Sequence, residues 1–457
     1  MGALDRIAWR PLLYYLVTGL ILVVPALYNK VPLVYSDTGT YLDSARSLLP
    51  PTDRTIGYGF IIRAVNWQST LWTIVIFQGL VSSWLTHRTM QSLFPAMGRN
   101  WRPHVVVLAL LLCLSSLPWY VSWIMPDVFT GLLALCVFLL LFGRRVSITE
   151  RVLLILCTFF FSLAHLAHPL MLIGLALVLL TLLRRLPPLA FPTKTLVCIA
   201  AVPVAAMLFI MGYNARHGQG FVLSRTSDLF LAARLIESGA MYLHLERTCD
   251  QDPVYLCLHR NELVNNAAHF VWVEHAALRQ GQDMIAANDR VEPIVRSLLT
   301  DVRNWPYLVW SSVLGTLQQL VHVDIGAGVV AYREQAAPWW IMAEQYQHEL
   351  PFYMVSLQQR GGWLFDTINR WNYLVLILSV LVIVVSWPSH HHVRWWAFLW
   401  IVVATVVLNA LCTGALANVY ERLQARVTWL LVLSALLLLY RWGTRMCTLK
   451  DVRRAFA

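Results

Sequence analysis

Apolar runs of membrane-crossing length follow one another along this chain, and arginines close many of them. That pattern constrains the fold more than any other feature. A helix needs roughly 17 to 25 predominantly apolar residues to cross a hydrocarbon core. Ten segments come near that: Pro11–Tyr28, Thr70–Thr86, Val105–Trp123, Val128–Phe142, Val152–Leu166, Pro169–Leu183, Thr195–Tyr213, Tyr373–Trp387, Trp395–Cys412 and Val427–Tyr440. Only 13% of the residues are charged, against about a quarter in a soluble domain. Many of the 20 tryptophans stand near the ends of the apolar runs, where indole rings anchor at the interface. The expected fold class is an all-α polytopic membrane protein: a bundle of about ten transmembrane helices with a large helical segment outside it. Arg6 and Arg10 precede the first run and no small-residue cleavage site follows it, so it reads as a retained signal-anchor.

The net charge of +11 invites comparison with nucleic-acid binders, but the basic residues form no stripe and hug the ends of the apolar spans. They instead set an orientation. Val152–Leu183 is too long for one upright helix, and arginines or lysines flank both its ends: Arg144, Arg145 and Arg151 before, Arg184, Arg185 and Lys194 after. Both ends therefore prefer the same side, which requires a turn in the middle, at His165, His168 and Pro169. With that hairpin, Arg88, Arg99 and Arg102, Arg144 and Arg145, Arg184 and Arg185, Arg394 and the tail from Arg441 to Arg454 all fall on the cytoplasmic side. Both termini are then cytoplasmic. The organisation reads as an N-terminal transmembrane module over 1–213, about seven helices with an outer loop at 29–69. An outer segment over 214–372 follows, then a C-terminal module of about three helices and a basic tail over 373–457. Asp301–Val323 within the outer segment is apolar enough to lie on the membrane or dip into it.

The chemistry concentrates on the outer side. Asp37 lies in Tyr35-Ser36-Asp37-Thr38-Gly39-Thr40-Tyr41-Leu42, just past the first span, and a carboxylate at that border is a functional candidate because the bilayer makes idle charge expensive. The same loop continues through Arg54-Thr55-Ile56-Gly57-Tyr58-Gly59-Phe60. Asp127 opens the fourth span on the same side. Two such carboxylates permit proton abstraction from a hydroxyl by one, with orientation by the other; the plainer reading is that each caps the helix that follows it. Lys30, Arg54, Arg216, Arg422 and Arg426 lie near outer helix ends, and Arg422 and Arg426, four apart, share a helix face. Their planar guanidinium groups suit phosphate oxygens, with headgroup anchoring as the alternative. Of the two histidines at the hairpin turn, His168 is the candidate for a polar ligand contact. His390, His391 and His392 read as an interfacial loop. No metal-ligand spacing stands out, and there is no glycine-rich phosphate loop or serine-nucleophile elbow. No cofactor is expected; a divalent metal is compatible with the chemistry but nothing indicates one. Cys249 and Cys257 alone among the eight cysteines sit in the large outer segment, where an oxidising compartment favours a disulfide over two free thiols.

Asp37-Thr38-Gly39-Thr40-Tyr41-Leu42, then Ala45, Leu48-Leu49 and Arg54-Thr55-Ile56-Gly57-Tyr58, resembles the first-loop signature of the GT-C glycosyltransferase superfamily. That signature typically reads Asp-Ser-x-x-Tyr-Leu and then Arg-x-Pro-Gly-Tyr-Pro; here Ile56 and Gly59 stand at the proline positions. Pro126-Asp127-Val128-Phe129 is similar to the family's second acidic motif. Tyr213-Asn214-Ala215-Arg216-His217-Gly218 and Glu421-Arg422-Leu423-Gln424-Ala425-Arg426 are similar to bacterial members. The resemblance covers the transmembrane frame and not 214–372. It implies a GT-C-like bundle in a bacterial inner membrane with its active site facing the periplasm. The donor it implies is a polyprenyl-phosphate sugar, and the acceptor a periplasmic glycan, lipid or protein such as a pilin. Asp37 would be the general base of an inverting transfer, with Asp127 assisting. Arg54, Arg422 and Arg426 would hold the departing phosphate, and aromatic rings such as Tyr41, Tyr58 and Trp123 would stack on the sugar. An O-antigen ligase or polymerase is the second enzyme reading, one that depends less on Asp37. A transporter or flippase would need charged, broken helices in matching halves, which the sequence lacks.

Overall fold

The computed structural model describes residues 4–66, 69–97, 100–185, 193–263, 267–389 and 391–455, so Arg99 and His390 lie outside the described residues. Among the described residues the regular structure is helical, apart from one parallel bridge between Leu33 and Trp123. Five of the described helices are long and apolar enough to cross a membrane: Pro11–Asn29, Thr195–Arg216, Phe365–Val385, Val393–Leu416 and Glu421–Thr444. Arg102–Leu114, Val128–Phe142 and Ala167–Leu182 are apolar but shorter. This is the make-up of a helical membrane protein, with five of the expected ten spans formed as helices both long and apolar enough to cross.

Two segments show why. The expected Val105–Trp123 span stops at Leu114, where Ser115 takes an extended backbone and its hydroxyl donates back to the Leu111 carbonyl at 2.7 Å. A separate short helix, Leu117–Val121, then starts with Pro118 in its first turn, the one place where a missing N–H costs nothing. The expected Thr70–Thr86 span is a longer helix, Trp72–Leu93, whose buried face carries Gln78, Ser82, Ser83, Thr86 and His87. Apolar run length registers neither a serine break nor a polar inner face. The hairpin does form: Ile148–Ala164 and Ala167–Arg185 meet at His165, which is extended.

Val128–Phe142 is the axis of the bundle. Every one of its residues is buried, and it packs against Trp72–Leu93, Ile148–Ala164, Val393–Leu416 and the long Glu421–Ala455 helix. Gly131 lets the Trp429 indole lie on the axis, since a Cβ there would stand 2.6 Å from Nε1. Trp305–Val321, the helix inside the apolar Asp301–Val323 stretch, runs along Val393–Leu416. Its remaining faces leave Val309, Trp310 and Leu317 exposed. The two helices touch backbone to backbone, a Cβ on Gly414 falling 2.4 Å from the Gly315 carbonyl oxygen. Gly414→Val is therefore expected to force the helices apart and cost about 1–3 kcal/mol, read as a lower thermal midpoint of the purified protein. Gly212→Ala, where an added Cβ meets nothing within 4 Å, is the control that should not lower it.

The 214–372 segment has two parts. Helices between Ser227 and Thr300 enclose a core of their own around Leu229, Ile236, Met241, Phe270 and Leu298, and Cys249 and Cys257 are joined there by a disulfide. Residues 324–363 then return to the first loop as a strap. Buried Gln358 fastens it, donating to the Val34 carbonyl at 2.8 Å and accepting from the Val34 amide at 3.1 Å. Its own amide donates to Asn29 Oδ1 at 2.9 Å. One glutamine side chain thus pairs with the loop backbone as a neighbouring strand would.

Candidate active site

Asp37 and Asp127 are brought together by backbone pairing. The Leu33 amide donates to the Ser122 carbonyl and the Ile124 amide to the Leu33 carbonyl, each at 2.9 Å, while the Thr38 hydroxyl donates to the Ile124 carbonyl at 3.0 Å. The stretch just before Asp37 is thereby pinned to the stretch just before Asp127. Both aspartates stand at helix N-termini, yet neither side chain makes a capping hydrogen bond. Both turn toward arginines.

Asp37 Oδ2 lies 2.9 Å from Arg54 Nη1 and 3.9 Å from Arg422 Nη2. Arg54 also grips Asp53, at 2.5 Å, and sits 5.4 Å over the Tyr41 ring. Burial works against the Arg54 cation, but Asp37, Tyr41 and Asp53 more than offset it and hold its pKa well above the ordinary arginine value. Asp127 is shared between Arg422 Nη1 at 3.3 Å and Arg426 Nη1 at 3.2 Å. Arg426 also donates Nε and Nη2 to Asn409 Oδ1 at 3.2 and 2.9 Å. Arg422 lies over the Tyr35 ring, its Cζ 4.2 Å from the centroid. Three carboxylates, Asp37, Asp53 and Asp127, therefore face three guanidinium groups, the matching that buried charge requires.

Exposure divides the cluster into two layers. The Asp37, Arg54 and Arg422 side chains are 19%, 12% and 10% exposed, whereas those of Asp127 and Arg426 are 1% and 0%. A ligand arriving from outside meets Asp37, Arg54 and Arg422; Asp127 and Arg426 hold that layer from below. Two donors, Arg54 Nη1 and Arg422 Nε, are buried without a hydrogen-bond acceptor. Arg54 Nη1 is close to Asp37 but out of line with it. The upper layer thus sets two partly exposed guanidinium groups beside a partly exposed carboxylate, an arrangement able to hold an anion.

The other candidates fall elsewhere. Tyr41 and Tyr58 are buried under the loop, edge to face at 5.1 Å. The Tyr58 hydroxyl donates to Gln78 Oε1 at 2.8 Å, so these rings support the loop and offer no stacking surface. Trp123 is buried as well. His168 is closed off: Nδ1 meets the Phe161 carbonyl at 2.6 Å and Nε2 the Thr130 hydroxyl at 2.8 Å. Arg216 is exposed at the end of Thr193–Arg216 and makes none of the cluster's contacts. Among the described residues no three or more histidine, cysteine, aspartate or glutamate side chains are grouped as a metal site.

Several participants escaped the sequence reading. Asn409 is legible as the one amide side chain within its apolar run, which in a membrane segment asks for a partner. Asp53 was legible as the neighbour of Arg54. Tyr332 reaches the mouth from the strap, where burial raises its phenol above the usual range and Tyr35 adds to that; no local pattern announces it. No family model, no curated protein and no solved structure matches this chain, so what it does has to follow from these side chains.

Proposed function

We propose that the chain is a glycosyltransferase of a bacterial inner membrane. It moves a sugar from a polyprenyl-phosphate donor to a hydroxyl of a periplasmic glycan, lipid or protein such as a pilin. The observation that carries this reading is the outer layer of the cluster: Asp37, reachable from outside, 2.9 Å from Arg54 and 3.9 Å from Arg422. It stands in a loop that resembles the first-loop signature of the GT-C superfamily. In this reading the three short apolar helices, together with Trp72–Leu93 and Ile148–Ala164, complete about ten crossings in a GT-C-like bundle. The site end of the bundle faces the periplasm and both termini lie in the cytoplasm.

The chemistry needs little beyond these groups. Asp37 takes the proton of the acceptor hydroxyl, and the oxygen attacks the anomeric carbon from the face opposite the phosphate. The bond from that carbon to the phosphate oxygen breaks, and its electron pair leaves with the phosphate. A phosphate of this kind departs without a strong general acid, so the useful work is electrostatic. Arg54 and Arg422 match the charge that grows on the leaving oxygen, in positions fixed before the reaction. Asp127 sits too deep to touch substrate; it orients Arg422, and Arg426 with Asn409 keeps Asp127 in place.

The test is transfer in proteoliposomes from a polyprenyl-phosphate sugar of known anomeric configuration. The expected product carries the opposite configuration, read by the proton coupling at its anomeric carbon. A product with retained configuration, or no transfer across a panel of donors and acceptors, removes the proposal.

A further inference from the structure

Of the two histidines of the hairpin turn, His168 has both ring nitrogens satisfied, whereas His165 has a donor facing each of its ring nitrogens. His168 faces the Phe161 carbonyl with Nδ1 at 2.6 Å, so Nδ1 carries the proton and Nε2 accepts from the Thr130 hydroxyl at 2.8 Å. His165, its ring 5.2 Å away, has the reverse arrangement. The Ala167 amide donates to His165 Nδ1 at 3.1 Å, the shorter of two donor contacts on the ring, which favours a neutral ring with its proton on Nε2. The polar atom facing that Nε2 is Arg426 Nη1, at 3.4 Å, and a guanidinium nitrogen has no lone pair to offer. With the proton on Nε2, two donors point at one another. Arg422 and Arg54 are also within electrostatic reach of the ring, so three cations act on it. His165 is half-buried, not sealed. Its turn is locked to the outer layer of the site: the Thr55 hydroxyl donates to the Leu163 carbonyl at 2.5 Å, and a Cβ on Gly57 would stand 2.1 Å from that same oxygen.

We propose that His165 is a ligand-contacting residue whose Nε2–H donates to a phosphate oxygen of the ligand that enters beside Arg54 and Arg422. An acceptor there satisfies a proton that the protein itself leaves facing a cation, and a neutral donor adds direction to charges that attract from all sides. The assignment rests on the reading of the site as one that receives a phosphate-bearing lipid, and it adds to that reading a residue which makes contact without taking or giving up a proton.

The full chain in lipid nanodiscs, titrated with undecaprenyl phosphate and separately with undecaprenol, tests it. Wild type is expected to prefer the phosphate. His165→Ala should lose about ten- to a hundredfold in affinity for the phosphate lipid, the range for a hydrogen bond to a charged group, with affinity for the alcohol unchanged. His165→Gln, which returns an N–H near the Nε2 position, should recover most of the loss. Inorganic phosphate is the third probe: competition from it places the bond on the phosphate whether or not a lipid carries it. Selective 15N labelling of histidine gives an independent readout, expected to show the Nε2–H tautomer at His165. Equal phosphate-lipid affinity in wild type and His165→Ala overturns the proposal, as does an Nδ1–H tautomer or a wild type indifferent to the phosphate. Phosphate binding that depends on His165, in a chain that transfers no sugar, keeps the proposal and removes the glycosyltransferase reading.

Discussion

Asp37→Asn is expected to lower sugar transfer by about 10²- to 10⁴-fold, the usual contribution of a positioned general base, in protein that still inserts and folds. The amide keeps the size of the carboxylate and one oxygen that can face Arg54, so the loop has no steric reason to move. Thr38, Leu33 and Gln358 hold that loop through bonds the substitution leaves alone. The loss should fall on the chemical step, leaving affinity for the phosphate lipid close to wild type, because Arg54 and Arg422 remain. Single-turnover transfer and lipid binding, measured on the same preparation, separate the two quantities. Undiminished transfer by the variant excludes Asp37 as the base and favours a ligase- or polymerase-type enzyme.

Asp127→Ala is expected to do something different: destabilise the molecule by about 3–5 kcal/mol, the range for breaking a buried ion pair by removing one partner. The aspartate is fully buried and serves two arginines, Arg422 at 3.3 Å and Arg426 at 3.2 Å. Arg426, with no exposure at all, would be left with only the neutral Asn409 and His165 around it. Thermal unfolding of the purified protein should show a large fall in midpoint, or the variant should fail to accumulate as monodisperse protein. Combining Asp127→Leu with Arg426→Met removes both charges and should restore much of the stability. Transfer should remain impaired in that double variant, because Arg422 has lost its anchor. An Asp127→Ala protein as stable as wild type would mean that the buried layer does not hold the site together.

These two expectations differ because tertiary position, not residue type, divides the aspartates. In sequence Asp37 and Asp127 look alike: each follows or opens an apolar run and each precedes a helix. The structure leaves one reachable and seals the other. The same holds for the arginines. The spacing of Arg422 and Arg426 put them on one helix face, and they do share Asp127. Which of them can meet a ligand depends on the Val393–Leu416 helix, whose Asn409 closes over Arg426. His165 and His168 make the point most sharply. Their place at a turn was legible from charges flanking both ends of an overlong apolar run, but their roles follow from which backbone groups they meet.

Residue pattern was enough to show that this chain is helical and apolar enough for a membrane, that the stretch after Arg151 doubles back at the histidines, and that charge gathers near Asp37 and Asp127. Hydropathy, charge bias and helical spacing are local properties, and they survive without knowledge of neighbours. Packing settled that, among the described residues, five helices are both long and apolar enough to cross a membrane, that Ser115 interrupts a further apolar run, and that a strap from beyond residue 320 fastens onto the loop of Asp37. It also decided which charged groups are buried. Burial and pairing depend on residues hundreds of positions apart, such as Asp127 and Arg422, whose meeting depends on how the helices pack and not on the residues that flank either one.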